Sequence, residues 1–554
     1  MSTVAEAIGS ALAHAGVRNT FGLAGVGNVR VLAALASAGV PYVPARHEAG
    51  AVAMADAYHR VCGEVGVCTV TYGPGLTNTA TSLADAVKNR SAVVVLCGAP
   101  PAGLTRPIDV DDEAVVAALG AATVRVTDAR DAVAAVIGAL RSASADARPV
   151  VVFLPVDIQA MPAVSGTPAR PDAVAVPVAA PVALPAKPEV DALVELLRSA
   201  DRPLLLAGLG AWRANAQQLI AAVADRCGGL LATTLLAKGI FGDNPWSIGV
   251  VGSLASPVAT ELLGEADVVV AFGTSLTEWT LHGGRLLDPA ANLVQIDLRA
   301  EQLSPRTDLG VIGDAADVAA GVRDGLPATT TPVSGWRLRV AGLLDGVRWE
   351  QVRYADRSTA DRLDPRTLSS ALAELLPKDR TLVTDGGHFI GWPARYWPVH
   401  DPSGFLFTGV SLQSIGLGFA GAVGAAVGRT DRAVVLATGD GGALMGLAEL
   451  DTLIRTADSA LVVVYDDAAY GAEVHMHGRL GIAEGTVFTD TDFRGLATSL
   501  GAEAAVVRTL ADLDAVRAWR ARGCAGTLLL DCKVVRDVVG DYMVEPGTAA
   551  RPAP

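Results

Sequence analysis

Short runs of aliphatic and β-branched residues recur along this chain, each separated from the next by a stretch with helical spacing. That alternation admits few folds. Val93–Leu96, Val150–Leu154, Leu204–Ala207, Val268–Phe272, Val434–Ala437 and Leu461–Tyr465 are too uniformly apolar to be strands with one wet face. They predict strands covered on both sides, as in parallel sheets with helices on each face. The abundance of Ala, Val, Gly and Leu and the scarcity of aromatics suit tight packing of helix on sheet.

At 554 residues the chain has room for three or four domains, and two irregular stretches divide it. Met161–Pro188 is Pro-rich and aperiodic, and Leu326–Ser334 holds two prolines and a threonine run. The expected division is a first domain over 1–160, a linker over 161–185, a central domain over 186–325, a linker over 326–354 and a third domain over 355–554. Each domain reads as a doubly wound α/β unit. The first and third echo one another: Val67–Tyr72 runs into Gly73-Pro74-Gly75, and Ala433–Thr438 into Gly439-Asp440-Gly441, each followed by a helix and another strand. A duplicated fold is expected.

The formal charge of −14 and the lack of a basic run speak against a nucleic-acid partner. Six scattered cysteines without metal-ligand spacing predict buried, reduced thiols in a cytoplasmic protein. Val4, Ile8, Leu12 and Ala15 space the N-terminus like an amphipathic helix and not like a secretory signal. The most apolar stretch, Ile415–Gly428, is too short and Gly-rich to span a bilayer, so no membrane is expected.

Gly439-Asp440-Gly441-Gly442 stands where a strand gives way to a helix, with glycines for close backbone approach and free N–H groups for phosphate. A dinucleotide loop would carry a third glycine where Leu444 stands, and Asp440 would face the phosphates with like charge. A hard cation between carboxylate and diphosphate removes that conflict, and Mg2+ binds in this way. A second ligand is then expected at the end of the next strand. Leu461–Tyr465 stops at Asp466-Asp467, followed by Ala468-Ala469-Tyr470-Gly471. Two acids there are costly beside a diphosphate without a metal. Asp466 reads as a cap of the following turn, and Asp467 as the ligand.

These paired motifs resemble the signature of thiamine-diphosphate enzymes, in which Gly-Asp-Gly is followed by a strand ending in Asn-Asn. The resemblance implies that Asp440, Asp467 and the main-chain carbonyl of Ala469 hold Mg2+, with Gly439, Gly441, Gly442, Tyr470 and Gly471 around the diphosphate. Asp467 departs from the family pattern, adding a negative charge where Asn is usual. Arg46-His47-Glu48-Ala49-Gly50 resembles the segment of acetolactate-synthase-like proteins whose glutamate protonates the pyrimidine ring, which assigns activation to Glu48. Tyr72–Asn78, with Gly73, Pro74 and Asn78, resembles the turn that packs on the cofactor from the same domain. Ile415 matches the bulky residue that bends the cofactor, and the carbonyl of Gln413 then accepts from its 4′-amino group. Arg202-Pro203 and Ala207-Gly208-Leu209-Gly210 resemble the family's central, Rossmann-like domain.

Glu473, six residues after Asp467, matches a glutamate that assists protonation in the pyruvate-decarboxylase branch. His475 and His477 follow on the same expected helix, with Glu473 and His477 sharing a face. That branch's paired histidines are absent from the first domain, and Val26 stands where it carries Asp. Asp109 stands where the acetolactate-synthase branch carries Gln; it reads as an acid near the reacting carbon, as a charge that repels the substrate carboxylate, or as a solvated loop acid. Gly273–Trp279 lacks the arginines with which acetolactate synthases hold FAD, so no FAD is expected.

The resemblance implies decarboxylation of a 2-oxo acid and transfer of the acyl carbanion to a second carbonyl, as in acetolactate synthase. A non-oxidative decarboxylase, a lyase of 2-hydroxy ketones and a catalytically silent cofactor-binding homologue are the alternatives. It also implies a homodimer or homotetramer, in which the first domain of one subunit holds the pyrimidine and the third domain of another holds the diphosphate.

Overall fold

The structure, a computed structural model, describes residues 2–543 apart from 102, 104–105, 108, 164–183, 329–334, 478–479 and 482. Most of the expected first linker, and 329–334 of the second, lie outside the described residues.

The first sheet contains β1 (Thr20–Gly22), β2 (Tyr42–Pro44), β3 (Gly66–Val70), β4 (Val93–Ala99), β5 (Ala122–Arg125) and β6 (Val150–Pro155), in the order β2-β1-β3-β4-β6-β5. The second contains β7 (Pro203–Ala207), β8 (Leu230–Thr233), β9 (Ser247–Val250), β10 (Val268–Phe272), β11 (Asn292–Asp297) and β12 (Leu309–Ile312), ordered β12-β11-β10-β7-β8-β9. The third contains β13 (Arg380–Thr384), β14 (Phe405–Phe407), β15 (Ala433–Gly439), β16 (Ser459–Asp466), β17 (Glu503–Val507) and β18 (Gly526–Lys533), ordered β14-β13-β15-β16-β18-β17. Every pairing within these sheets is parallel.

The third sheet repeats the strand order of the first, so the echo in the sequence is a repeated fold. The central sheet, read from β9, has the Rossmann order. β4, β6, β7 and β10 are buried along their whole length, which is why their sequences show no alternation.

The first and third units pack through two helices, Glu48–Cys62 and Gly418–Gly428. A Cβ at Gly424 would overlap the Met54 carbonyl, so glycine is what lets the backbones approach. One apolar cluster runs through the interface, from Phe21 and Met54 to Phe419, Val423 and Leu436. The Gly-rich apolar stretch is thus a helix buried in protein, and among the described residues no helix is long and apolar enough to cross a membrane. The central unit docks on the third through Lys238, whose buried Nζ donates to the carbonyls of Ala394 and Trp397, both at 2.6 Å. Cys68, Cys97 and Cys532 are buried as expected, whereas Cys62, Cys227 and Cys524 are only partly so; all six are free thiols.

Candidate active site

β15 and β16 pair with Gly439 opposite Tyr465, so the two motifs emerge side by side at the carboxyl edge of the third sheet. The chain reverses its winding between β13 and β15, and an open α/β sheet binds ligands at such a switch point. Three chain segments meet there: Asp385–His388 after β13, Gly439–Gly442 after β15, and Asp467–Gly471 after β16. The glycines keep them close. A Cβ at Gly442 would lie 2.8 Å from Asp385 Oδ2, and one at Gly471 would lie 2.9 Å from Asp467 Oδ2 and 3.1 Å from His388 Cβ.

Asp440 is buried; its Oδ1 accepts from the Gly441 N–H at 2.9 Å, and its Oδ2 has no partner among the described residues. Burial, with Asp467 and Asp466 adding like charge, lifts Asp440 well above the carboxylate range. Burial likewise pushes Asp467 up to about 7, against the pull of Arg536. Two carboxylates in this state call for a cation.

Asp466 behaves differently. Its Oδ1 accepts from the Ala468 N–H at 3.1 Å, the turn cap expected of it, and its Oδ2 is paired with buried Lys533 at 2.5 Å. Lys533 also neutralises Asp531 at 2.9 Å. Beyond the turn, Tyr470 N–H donates to Thr486 and Phe488 N–H to Ala468, at 2.8 and 3.0 Å. That antiparallel bridge points the Ala469 carbonyl away from the pairing strand. Two carboxylates, one with an orphaned oxygen, and a carbonyl make a hard-oxygen donor set that fits Mg2+ bound together with phosphate. Among the described residues no group of three or more His, Cys, Asp or Glu forms a metal site.

The edge opens into a cavity of about 950 Å3 lined by Gly439–Gly442, Asp467, Ala469–Gly471, Gln413 and Ile415, and it extends to central-unit loops at Ser253 and Gly273–Glu278. Gln413 and Gly416 both have positive φ, +60° and +86°, in the turn that carries Ile415. Asp385 fixes that turn, accepting the Gly416 N–H at 3.0 Å and the Gly386 N–H at 2.8 Å. Its burial outweighs those bonds and raises it to about 6.

Glu473 and Met476 line the cavity from the helix Gly471–His477. Glu473 and His477 stand one turn apart on that helix, but His477 is exposed and off the cavity, which Met476 lines beside Glu473. His475 instead packs against His388, with ring centroids 4.5 Å apart. His388 lines the cavity and is buried; its Nε2 accepts the Gly540 N–H at 3.0 Å, which puts the ring proton on Nδ1. Burial, with His475 adding to it, holds His388 down at about 3, a neutral imidazole.

The other expected residues sit on the first unit. Glu48 opens its helix beneath the N-cap His47, and Asn78 Nδ2 donates to Glu48 Oε2 at 3.0 Å. Gly73, at φ +63°, and Pro74 begin the short helix that brings Asn78 round to it. Glu449 of the third unit accepts the N–H groups of Arg46 and His47 at 3.0 and 2.9 Å, tying this strand-to-helix junction down. Glu48, Gly73, Pro74 and Asn78 do not line the 950 Å3 cavity of their own chain. Asp109 is held by Arg106, Nη2 to Oδ1 at 2.7 Å, under a guanidinium that also covers the Tyr72 ring. The hydrogen bond from Arg106 holds the Asp109 carboxyl below its usual range.

Family models match three segments: the N-terminal TPP binding domain of thiamine pyrophosphate enzymes over residues 2–115, their central domain over 190–322, and their C-terminal TPP binding domain over 385–532. The chain belongs to the thiamine pyrophosphate enzymes. A probable acetolactate synthase large subunit of Methanocaldococcus jannaschii is 28% identical over 487 residues, 84% of this chain and 80% of that protein. A probable 2-ketoarginine decarboxylase of Pseudomonas aeruginosa is 28% identical over 489 residues, 83% of this chain and 81% of that protein. Human 2-hydroxyacyl-CoA lyase 2 is 29% identical over 565 residues, 92% of this chain and 87% of that protein. The thiamine diphosphate-dependent 4-hydroxybenzoylformate decarboxylase of Rhodococcus jostii shares the fold, with a TM-score of 0.79 at 20% identity, covering 96% of this chain and 99% of that one.

Within this thiamine pyrophosphate enzyme, the side chains that sequence reasoning missed are Asp385, His388, Lys533 and Tyr542. A signal existed for the first two. Asp385-Gly386-Gly387-His388 follows a buried strand as Gly439–Gly442 does, and it flanks the same crevice.

Proposed function

We propose that this chain uses thiamine diphosphate and Mg2+ to decarboxylate a 2-oxo acid and to join the remaining acyl unit to a second carbonyl. The observation that carries the reading is the buried Asp440 carboxylate, with one oxygen unpartnered among the described residues, set close enough to Asp467 for the two charges to oppose one another in a glycine-lined crevice. When bound, thiamine diphosphate supplies a carbon nucleophile and an electron sink for the bond to CO2. Asp440, Asp467 and the Ala469 carbonyl would hold the metal, and Gly439–Gly442 the diphosphate. The Gln413 carbonyl would take the amino group, and Ile415 would support the bend. Glu48 would keep a proton on the pyrimidine, with Asn78 orienting its carboxylate. Glu473, on the cavity, supports the second reading, a decarboxylase that simply protonates the acyl unit.

Incubation with pyruvate, thiamine diphosphate and Mg2+ separates the two. Acetolactate or acetoin is expected from ligation, and acetaldehyde alone from decarboxylation. Failure to release CO2 from pyruvate and from larger 2-oxo acids overturns both and leaves the lyase of 2-hydroxy ketones and the silent homologue.

The same reading requires a second subunit. Glu48 lies off the cavity of its own chain, and apolar side chains stand exposed beside each half-site: Val26 at 81% and Met445 at 62%. Sedimentation of the cofactor-loaded protein is expected to give a homodimer or larger. An active monomer would refute the arrangement.

A further inference from the structure

We propose that Tyr542, on the C-terminal segment, is a specificity-determining residue that limits the side chain of the donor acid; this rests on the 2-oxo acid reading above. Tyr542, His388 and Trp392 all line the cavity and pack on one another as a single aromatic wall. The Tyr542 ring stacks on His388 with centroids 6.2 Å apart, and both meet Trp392 edge-on at 6.0 and 5.8 Å. Such ring pairs hold each other in place beyond the area they bury.

The segment that brings Tyr542 there is built in. Segments beyond the last strand are poorly ordered unless tied down, and residues 540–542 are tied at four points. The Tyr542 hydroxyl donates to the His388 carbonyl at 2.5 Å and accepts the Gly391 N–H at 3.1 Å. The Gly540 N–H donates to His388 Nε2 at 3.0 Å. A Cβ at Gly391 or at Gly540 would overlap the Tyr542 ring, so both glycines make room for it. Arg395, itself buried, pairs with Asp541 at 2.5 Å and donates to the Ser253 carbonyl at 3.3 Å, with its guanidinium 3.9 Å from the Trp349 ring and 4.8 Å from that of Tyr542. The clamp therefore joins the C-terminal segment, the stretch before the third sheet and a central-unit loop around one end of the cavity.

The Tyr542 hydroxyl is used by the protein on both sides, so what it has left to present is ring. The wall has the chemistry to meet an uncharged, apolar acyl side chain, and the position of Tyr542 sets how long or broad that side chain can be. Shortening Tyr542 opens the space between Gly391, Gly540 and Trp392.

The test compares wild type with Tyr542→Ala, Tyr542→Leu and Tyr542→Phe, each loaded with thiamine diphosphate and Mg2+, in CO2 release from pyruvate and from benzoylformate. In the Ala and Leu variants, kcat/KM for benzoylformate relative to pyruvate is expected to rise about tenfold or more, chiefly through KM. Tyr542→Phe keeps the ring and is expected to hold the ratio within about twofold. An unchanged ratio in a folded Ala or Leu variant overturns the proposal; the Leu variant serves where the Ala variant fails to fold. Absence of turnover of either acid by wild type counts against the 2-oxo acid reading and not against the wall. Equilibrium binding of the two acids, read by tryptophan fluorescence, then decides: a selective gain for benzoylformate in the Leu variant supports the wall, and no gain overturns it.

Discussion

Replacing Glu48 by Gln is expected to lower turnover about 10²–10⁴-fold, the contribution of a positioned acid–base group, with little effect on folding. The substitution is nearly isosteric. The Gln side-chain oxygen still accepts from Asn78 Nδ2, which lies 3.0 Å from the carboxylate it replaces. What the fold loses is a first-turn negative charge at a helix N-terminus, about 0.3–1 kcal/mol where exposed. A Glu48 that merely favoured its helix would show that small stability change and full activity. A Glu48 that keeps the pyrimidine protonated would show the reverse: unfolding temperature and cofactor affinity near wild type, and kcat collapsed. Steady-state kinetics beside calorimetric titration of thiamine diphosphate separates the two. Wild-type turnover in Glu48→Gln would remove Glu48 from the mechanism while leaving the Asp440–Asp467 site standing.

How far the sequence could be read depended on whether the partners of a residue lie along the chain or across it. Strands such as β4, β6 and β10 are apolar from end to end because helices cover both faces, and a local run carries that information. Gly439–Gly442 and Asp466-Asp467 were legible for the same reason: each is a contiguous motif at a strand end. Lys533 was not. It meets Asp466 because β16 and β18 pair in register with those two residues opposite one another, and no local pattern announces a register set 67 residues away. Tyr542 lies beyond the last strand, in a segment without periodicity, and acquires its surroundings from Gly391, His388 and Arg395. That Met476 and not His477 lines the cavity beside Glu473 was not legible for another reason: both stand one turn from Glu473, and spacing alone does not choose between them. Asp109 illustrates a third limit, since the chemistry of an acid depends on the cation beside it, here Arg106.

The second large effect concerns the carboxylate pair and has a definite sign with pH. Asp440 and Asp467 both titrate above the ordinary 3.8 in the folded chain, Asp467 at about 7, because burial disfavours their charged forms, with like charge added by Asp467 and Asp466 at Asp440 and by Asp466 at Asp467. From about pH 4 up to about pH 7 for Asp467, and beyond it for Asp440, the folded, metal-free protein therefore binds more protons than the unfolded chain, and stability falls as pH rises through that window. A divalent cation reverses this by binding the ionised pair, so its apparent affinity weakens on acidification below about 7, by up to about tenfold per pH unit for each proton it must displace. Mg2+ with thiamine diphosphate is accordingly expected to raise the unfolding temperature strongly at pH 8 and weakly at pH 5. Asp440→Asn removes one charge of the pair. The metal-free variant is expected to be more stable than wild type at pH 8, because it no longer carries a buried acid that resists ionisation. It is also expected to lose the Mg2+-dependent gain and to bind the cofactor more than about 100-fold more weakly, beyond what loss of a supporting residue around a metal costs. Asp467→Asn restores the residue usual in the resembled family, and is expected to keep Mg2+ binding while removing the titration near pH 7. Scanning calorimetry at pH 5 and pH 8, with and without Mg2+ and cofactor, reads all of these. A Mg2+-dependent gain that survives in Asp440→Asn would place the cation elsewhere in the crevice, and a metal-free stability flat from pH 4 to 7 would mean that neither carboxylate is raised in the folded chain.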